Sequence, residues 1–383
     1  MSKEYEYWLH CLPDIGDVTI GRLLDRYKTE EKIYEACLAE EADFIGILKM
    51  IRLNEDKIAG VIKAGRSTDP ASSYQRMVSE GIGFVTIHDK EYPSRLRTVS
   101  NRPYALYHLG SLPKDDVPAV AIIGARNCSE YGRYVAASFG EALAGAGINV
   151  ISGMALGIDG IGQRGALDAG GATFAVLGSG VDVCYPMENH DLYKRIPQNG
   201  GVISIFPPGS EPQRKLFPER NRIVAGLSDA VLVIEARQKS GTGITVNLAL
   251  SMNKDVYAVP GRITDRLSDG CNMLISQGAG AAISPDNFVS EIQMLWNRKK
   301  DVSVKKVLPN IDKPYEKLDV PDSDSGFLKY VDVKPLSVSQ IHLKRLKDEP
   351  DAEMSDTINK LALLCIDGRI VQIGSGYYYR AYS

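Results

Sequence analysis

Four basic side chains, Arg214, Lys215, Arg220 and Arg222, fall within nine residues around a single aromatic, Phe217. The central run is Phe217-Pro218-Glu219-Arg220-Asn221-Arg222. Cations that track phosphates, beside a flat ring on which a base can lie, suit a single-stranded nucleic acid. An isolated aromatic is usually core. This one follows a polar loop between Pro207, Pro208, Pro212 and Pro218, so an exposed stacking role is expected. Far upstream, the apolar strand Val120-Ala121-Ile122-Ile123 ends in Gly124-Ala125-Arg126, a turn that projects an arginine. If both elements lie on one edge of a sheet, they make one groove. Residues two apart on a helix point to different sides. Of Arg220 and Arg222, one is therefore expected to face the ligand and the other to brace the preceding loop through an acidic partner.

Glycine turns recur in step with these elements. Gly153 opens Ser152-Gly153-Met154-Ala155-Leu156-Gly157-Ile158-Asp159; Leu177-Gly178-Ser179-Gly180 and Ser240-Gly241-Thr242-Gly243 follow later strands. Such turns allow close backbone approach. At helix starts they line up N–H donors, which favours an anionic ligand such as phosphate. Gly124-Ala125-Arg126 does not match GxGxxG, and no acidic residue closes the second strand, so a dinucleotide is not expected. Asp159 invites a catalytic reading, but no second carboxylate, histidine or nucleophile stands at a matching sheet position. His190 sits in a polar segment, and none of the five histidines has metal-ligand spacing. Neither catalysis, nor a cofactor, nor a metal is expected.

The elements that must position these residues follow from the bulk pattern. At 383 residues two or three domains are expected. Net charge of −3 excludes a general polyanion binder, so nucleic-acid affinity must come from a local patch. Six scattered cysteines with no CxxC pair read as reduced thiols. No apolar run approaches the roughly 18 residues of a membrane span, and MSKEYEYWLH lacks a signal-peptide pattern; a cytoplasmic location is expected. Residues 1–70 read as short helices, with a helix-hairpin-helix-like turn over 12–24 taken as a packing module. Residues 71–116, rich in prolines, read as an extended connecting segment with one short strand at 83–87. From 117 to 297 strands and helices alternate, the pattern of an α/β doubly wound parallel sheet. A charged flexible linker is expected over 298–325, and two helices and a hairpin over 326–383 suggest a winged helix.

Taken together, the motifs Ile123–Arg126, Ser152–Asp159, Leu177–Gly180, Phe217–Ile223, Ser240–Thr242 and Tyr257–Gly261 resemble those of the DNA-processing protein A family (DprA, also called Smf). They occur in family order over about 175 residues. The resemblance implies a Rossmann-like central domain, a sterile-alpha-motif-like N-terminal domain and a C-terminal winged helix. It also implies a homodimer that binds single-stranded DNA without catalysis and loads a RecA-type recombinase in natural transformation. By the same resemblance Arg126 grips phosphate, Arg214 is a second DNA contact and Phe217 packs on a base. Ala125 stands where the family usually has serine, which implies weaker binding. An alternative is a nucleotide-processing enzyme, like the phosphoribohydrolases on a related fold. Its PGGxGT-type turn is matched here only by Lys239-Ser240-Gly241-Thr242-Gly243, without Pro-Gly-Gly or a following glutamate. A third reading makes the winged helix a duplex-DNA or protein-docking module and the central domain a scaffold.

Overall fold

The computed structural model describes residues 2–305, 326–332, 336–366, 369–373 and 377–380, in two compact units divided between Val304 and Lys305. The first is built on nine strands: β1 (Gly83–Thr86), β2 (Ala105–Gly110), β3 (Ala119–Ile123), β4 (Asn149–Ser152), β5 (Thr173–Val176), β6 (Gly200–Ser204), β7 (Ala230–Val233), β8 (Asp255–Ala258) and β9 (Gly280–Ala281). Their order across the sheet is β1-β2-β6-β5-β4-β3-β7-β8-β9. The run from β6 to β9 is parallel throughout. Strands β3 to β7 are buried along their whole length, and β3 and β7 are wholly apolar, because helices cover both faces of the sheet. The chain winds outward from β3 to β6, then returns to β7 on the other side of β3. That reversal opens a crevice at the carboxyl ends of β3 and its neighbours.

The stretch expected to be a connecting segment is part of the sheet instead. Pro70–Ser79 is a helix, and β1 and β2 extend the sheet antiparallel, β2 pairing directly with β6. The prolines at 93 and 103 stand outside these strands and do not interrupt them. Six helices precede β1, and three of them are capped by side chains that accept the first free N–H: Thr29, Asn54 and Asp69. Trp8, Leu9, Phe44 and Leu48 are fully buried in a core that continues into Tyr107, Ala175 and Val202 of the sheet. At the helix-hairpin-helix-like turn, Asp17 accepts the N–H of Tyr104 at 2.9 Å, so the turn is used for packing. Arg95 closes the opposite side: it donates to Asp229 at 2.9 Å and to the Val117 carbonyl at 2.6 Å, with its guanidinium over Trp296.

The expected flexible linker begins inside a helix, Pro285–Lys305; its remainder, 306–325, lies outside the described residues. In the second unit a short strand, β10 (Leu336–Ser337), leads into helices Val338–Leu346 and Met354–Ile366 and then strands β11 (Ile370–Ile373) and β12 (Tyr377–Arg380). They form a three-stranded antiparallel sheet in the order β10-β12-β11. Ser337 and Gln340 form a reciprocal capping box, which explains where the first helix starts. Phe327, Ile341, Leu361 and Tyr378 form the core of this unit. Arg345, in the modest basic cluster with Lys344 and Lys347, is buried and held by Glu349 and Asp356. Among the described residues, no helix is long and apolar enough to cross a membrane.

Candidate nucleic-acid interface

The crevice at the carboxyl edge is a cleft of about 580 Å³ lined by Gly124, Ala125, Arg126, Gly153, Asp159, Tyr185, Arg214, Phe217, Arg220, Asn221, Ser240, Gly241 and Thr242. The two distant elements therefore meet. The exposed Arg126 guanidinium stands 5.6 Å from the centroid of the Phe217 ring. Backbone geometry sets this up. Gly157, at φ +74°, starts the helix Ile158–Asp168 so close to the 125–126 turn that a Cβ there would collide with the carbonyls of Ala125 and Arg126. Gly178, after β5, is the seat of the aromatic ring: a Cβ would lie 2.9 Å from Cδ1 of Phe217. The ring is half-buried and touches Tyr185, with centroids 5.7 Å apart and planes at 36°. Nothing in the sequence pattern had singled out Tyr185.

Arg220 and Arg222 do split as their spacing requires, but neither in the way expected. Arg220 is 3% exposed. Its guanidinium donates to the Val176 carbonyl at 2.6 Å, to the Gly153 carbonyl and to Asn221 Oδ1 at 3.1 Å, and lies 5.7 Å from the Phe217 centroid. Burial pulls it down to about 10, against the opposing charge of Asp159. It ties β4, β5 and the helix Leu216–Leu227 together beneath the cleft. Arg222 turns away altogether, toward the Ser100 carbonyl at 3.3 Å and Asp17 at 3.9 Å. Its partner is acidic, as expected, but belongs to the N-terminal helices and not to the preceding loop. Lys215, although exposed, does not line the cleft either.

The expected row of free backbone donors is shorter than the glycine pattern implied. The N–H groups of Gly124 and Gly153 bind the Asp159 carboxylate, the latter at 3.2 Å, and that of Ala125 binds the Glu235 carbonyl at 2.8 Å. What remains is the start of the helix Thr242–Ser251 at Ser240, Gly241 and Thr242, since the N–H groups of Gly243 and Ile244 already turn back to the Ser240 and Gly241 carbonyls at 3.2 and 3.1 Å. Asp159 is buried, and burial raises its carboxyl above the usual range while Arg220 and the N–H donors pull it back. A second carboxylate does stand past the end of β7: Glu235, 1% exposed. It accepts the N–H of Ser129 at 2.9 Å and the Ser129 hydroxyl, and so holds in place the residue that caps the helix Glu130–Gly145. It was missed because its role is set by a residue more than a hundred positions earlier. Among the described residues, no group of three His, Cys, Asp or Glu could hold a metal ion.

With cation, ring and helix start around one polar cleft, the arrangement can hold an anionic chain bearing flat bases. The sequence model of DNA recombination-mediator protein A matches residues 83–293, which include β1 to β9 and the entire cleft. The Smf protein of Synechocystis is 30% identical over 370 residues, covering 94% of this chain and 87% of that one. The crystal structure of DNA processing protein A from Streptococcus pneumoniae superposes with a TM-score of 0.62 at 30% identity, covering 76% of this chain and 98% of its own. DNA processing protein A from Helicobacter pylori, solved for its single-stranded DNA binding mode, gives 0.50 at 30% identity over 55% of this chain and 96% of its own. The chain belongs to the DNA recombination-mediator protein A family, DprA or Smf, and so to DNA processing in recombination.

Proposed function

We propose that the cleft binds single-stranded DNA, without acting on it chemically, and that the protein works as a homodimer that hands the strand to a RecA-type recombinase. The observation that carries this reading is the placement of Arg126 within 5.6 Å of the Phe217 ring in one polar cleft. Arg126 and Arg214 meet phosphates, and the start of the helix Thr242–Ser251 meets a third anionic group. Phe217 offers a surface to a base whatever its identity, which is what a protein coating arbitrary sequence requires. A binding role is supported over hydrolysis by the state of the two carboxylates. Asp159 and Glu235 are both engaged by N–H donors of the scaffold, so neither is placed as a general base. The second unit, with its two helices and small antiparallel sheet, reads as a winged helix.

The test is a titration of the full chain with labelled oligothymidine, the matching duplex and nucleoside monophosphates. The single strand should bind tightest, and monophosphates should be recovered intact. Release of a free base or ribose 5-phosphate would replace this reading with the enzymatic one. Light scattering should give the mass of two chains.

A further inference from the structure

We infer that Tyr185 is a second stacking platform, so that the cleft takes two consecutive bases, one on Phe217 and the next on Tyr185. The inference rests on the single-strand reading above and adds a residue and a site size to it. Phe217 is hemmed in: Arg126 and Arg220 guanidinium groups stand 5.6 and 5.7 Å from its centroid, and the Gly178 backbone lies against its Cδ1 and Cε1 atoms. Tyr185 has no such cover. It is 42% exposed, lines the same cleft, and its phenol has no hydrogen-bond partner among the described residues. A large aromatic left this open beside a phosphate-binding turn calls for a ligand with a flat apolar face.

The spacing fits successive bases. The ring centroids are 5.7 Å apart. That exceeds the roughly 3.4 Å axial step of a stacked strand, and suits one whose bases are partly spread. Insertion of a base between the two rings is excluded by space. The recess between Leu156, Tyr185, Pro186 and Phe217 is about 50 Å³, room for a few waters at most. The bases must therefore lie on the cleft side of each ring, one after the other.

The experiment compares the full chain with Tyr185→Ala and Tyr185→Phe, on oligothymidine and on an abasic strand of equal length, across a salt series. Stacking of one base on an aromatic contributes about 1–3 kcal/mol. Tyr185→Ala should thus weaken oligothymidine binding by roughly 5- to 150-fold, leave the salt slope unchanged, and bind the abasic strand as wild type does. Tyr185→Phe should bind oligothymidine like wild type, which separates stacking from a hydrogen bond and from misfolding. Tyr185→Ala with undiminished oligothymidine affinity, or an equal loss on the abasic strand, overturns the inference while leaving the single-strand reading in place. If wild type itself does not hold oligothymidine, both fall together.

Discussion

The role of Arg220 separates two accounts of the cleft. If it grips phosphate, replacing it with methionine removes one charge contact, and the salt slope of oligothymidine binding becomes shallower by about 0.7. Folding stability would hardly change. The geometry argues otherwise: the guanidinium is 3% exposed, holds the carbonyls of Gly153 and Val176 and the Asn221 amide oxygen, and offsets the buried Asp159 charge. Arg220→Met leaves two buried carbonyls without their donor and a carboxylate without its counter-charge. Each buried carbonyl left without its donor costs about 1–3 kcal/mol. Both tryptophans, Trp8 and Trp296, belong to the first unit, so a urea melt followed by indole emission reads that unit alone. The midpoint should fall by that amount divided by the m-value. The double variant Arg220→Met with Asp159→Asn should recover part of the loss, because the stranded charge is gone. An unshifted midpoint together with a shallower salt slope would refute the brace and restore Arg220 to the DNA contacts.

Arg126→Ala should make the oligothymidine salt slope shallower by about 0.7 and weaken binding at every sequence, with an unchanged urea midpoint; Arg222→Ala, facing Ser100 and Asp17, should leave the slope alone. Gly178→Val places branched carbon against the Phe217 ring, where even a Cβ lies 2.9 Å from Cδ1, so oligothymidine affinity should drop several-fold and Arg126 lose its neighbour; titration of that variant checks it. His10 sits against the Tyr107 hydroxyl at 2.8 Å, and burial pulls it down to about 4, below its usual 6.5. Since the unfolded chain then binds the extra proton, stability is full above pH 6.5 and falls as the pH drops toward 4. The slope is at most about 1.4 kcal/mol per pH unit, and urea melts across that range should show it reduced in His10→Gln.

The parallel strands and their helices were legible because strands buried on both faces are unbroken apolar runs, and Ala119–Ile123 or Ala230–Val233 admit no other reading. The meeting of Arg126 with Phe217 was legible for a related reason: Arg126 lies on the turn right after β3, Phe217 opens the helix that follows β6 across a proline-rich loop, and in a doubly wound sheet those carboxyl ends share an edge. What stayed hidden was every feature decided by a partner distant in the chain. Ala105–Gly110 looked like part of a connector because prolines precede it at 93 and 103 and its pairing with β6 is not written in its own residues. The spacing of Arg220 and Arg222 showed that they must diverge, but whether either reached solvent depended on Asp159 and Asp17. Tyr185 lies in a loop with no periodicity, and only the fold brings it beside Phe217. The glycines carried a double message. They line the cleft, yet the Gly153 N–H is claimed by the Asp159 carboxylate and the neighbouring Ala125 N–H by the Glu235 backbone carbonyl. In this cleft the Asp159 carboxylate and the Glu235 backbone carbonyl take up donors at the 125 and 153 turns, so affinity for a strand must rest largely on side chains: Arg126, Arg214 and the rings beside them.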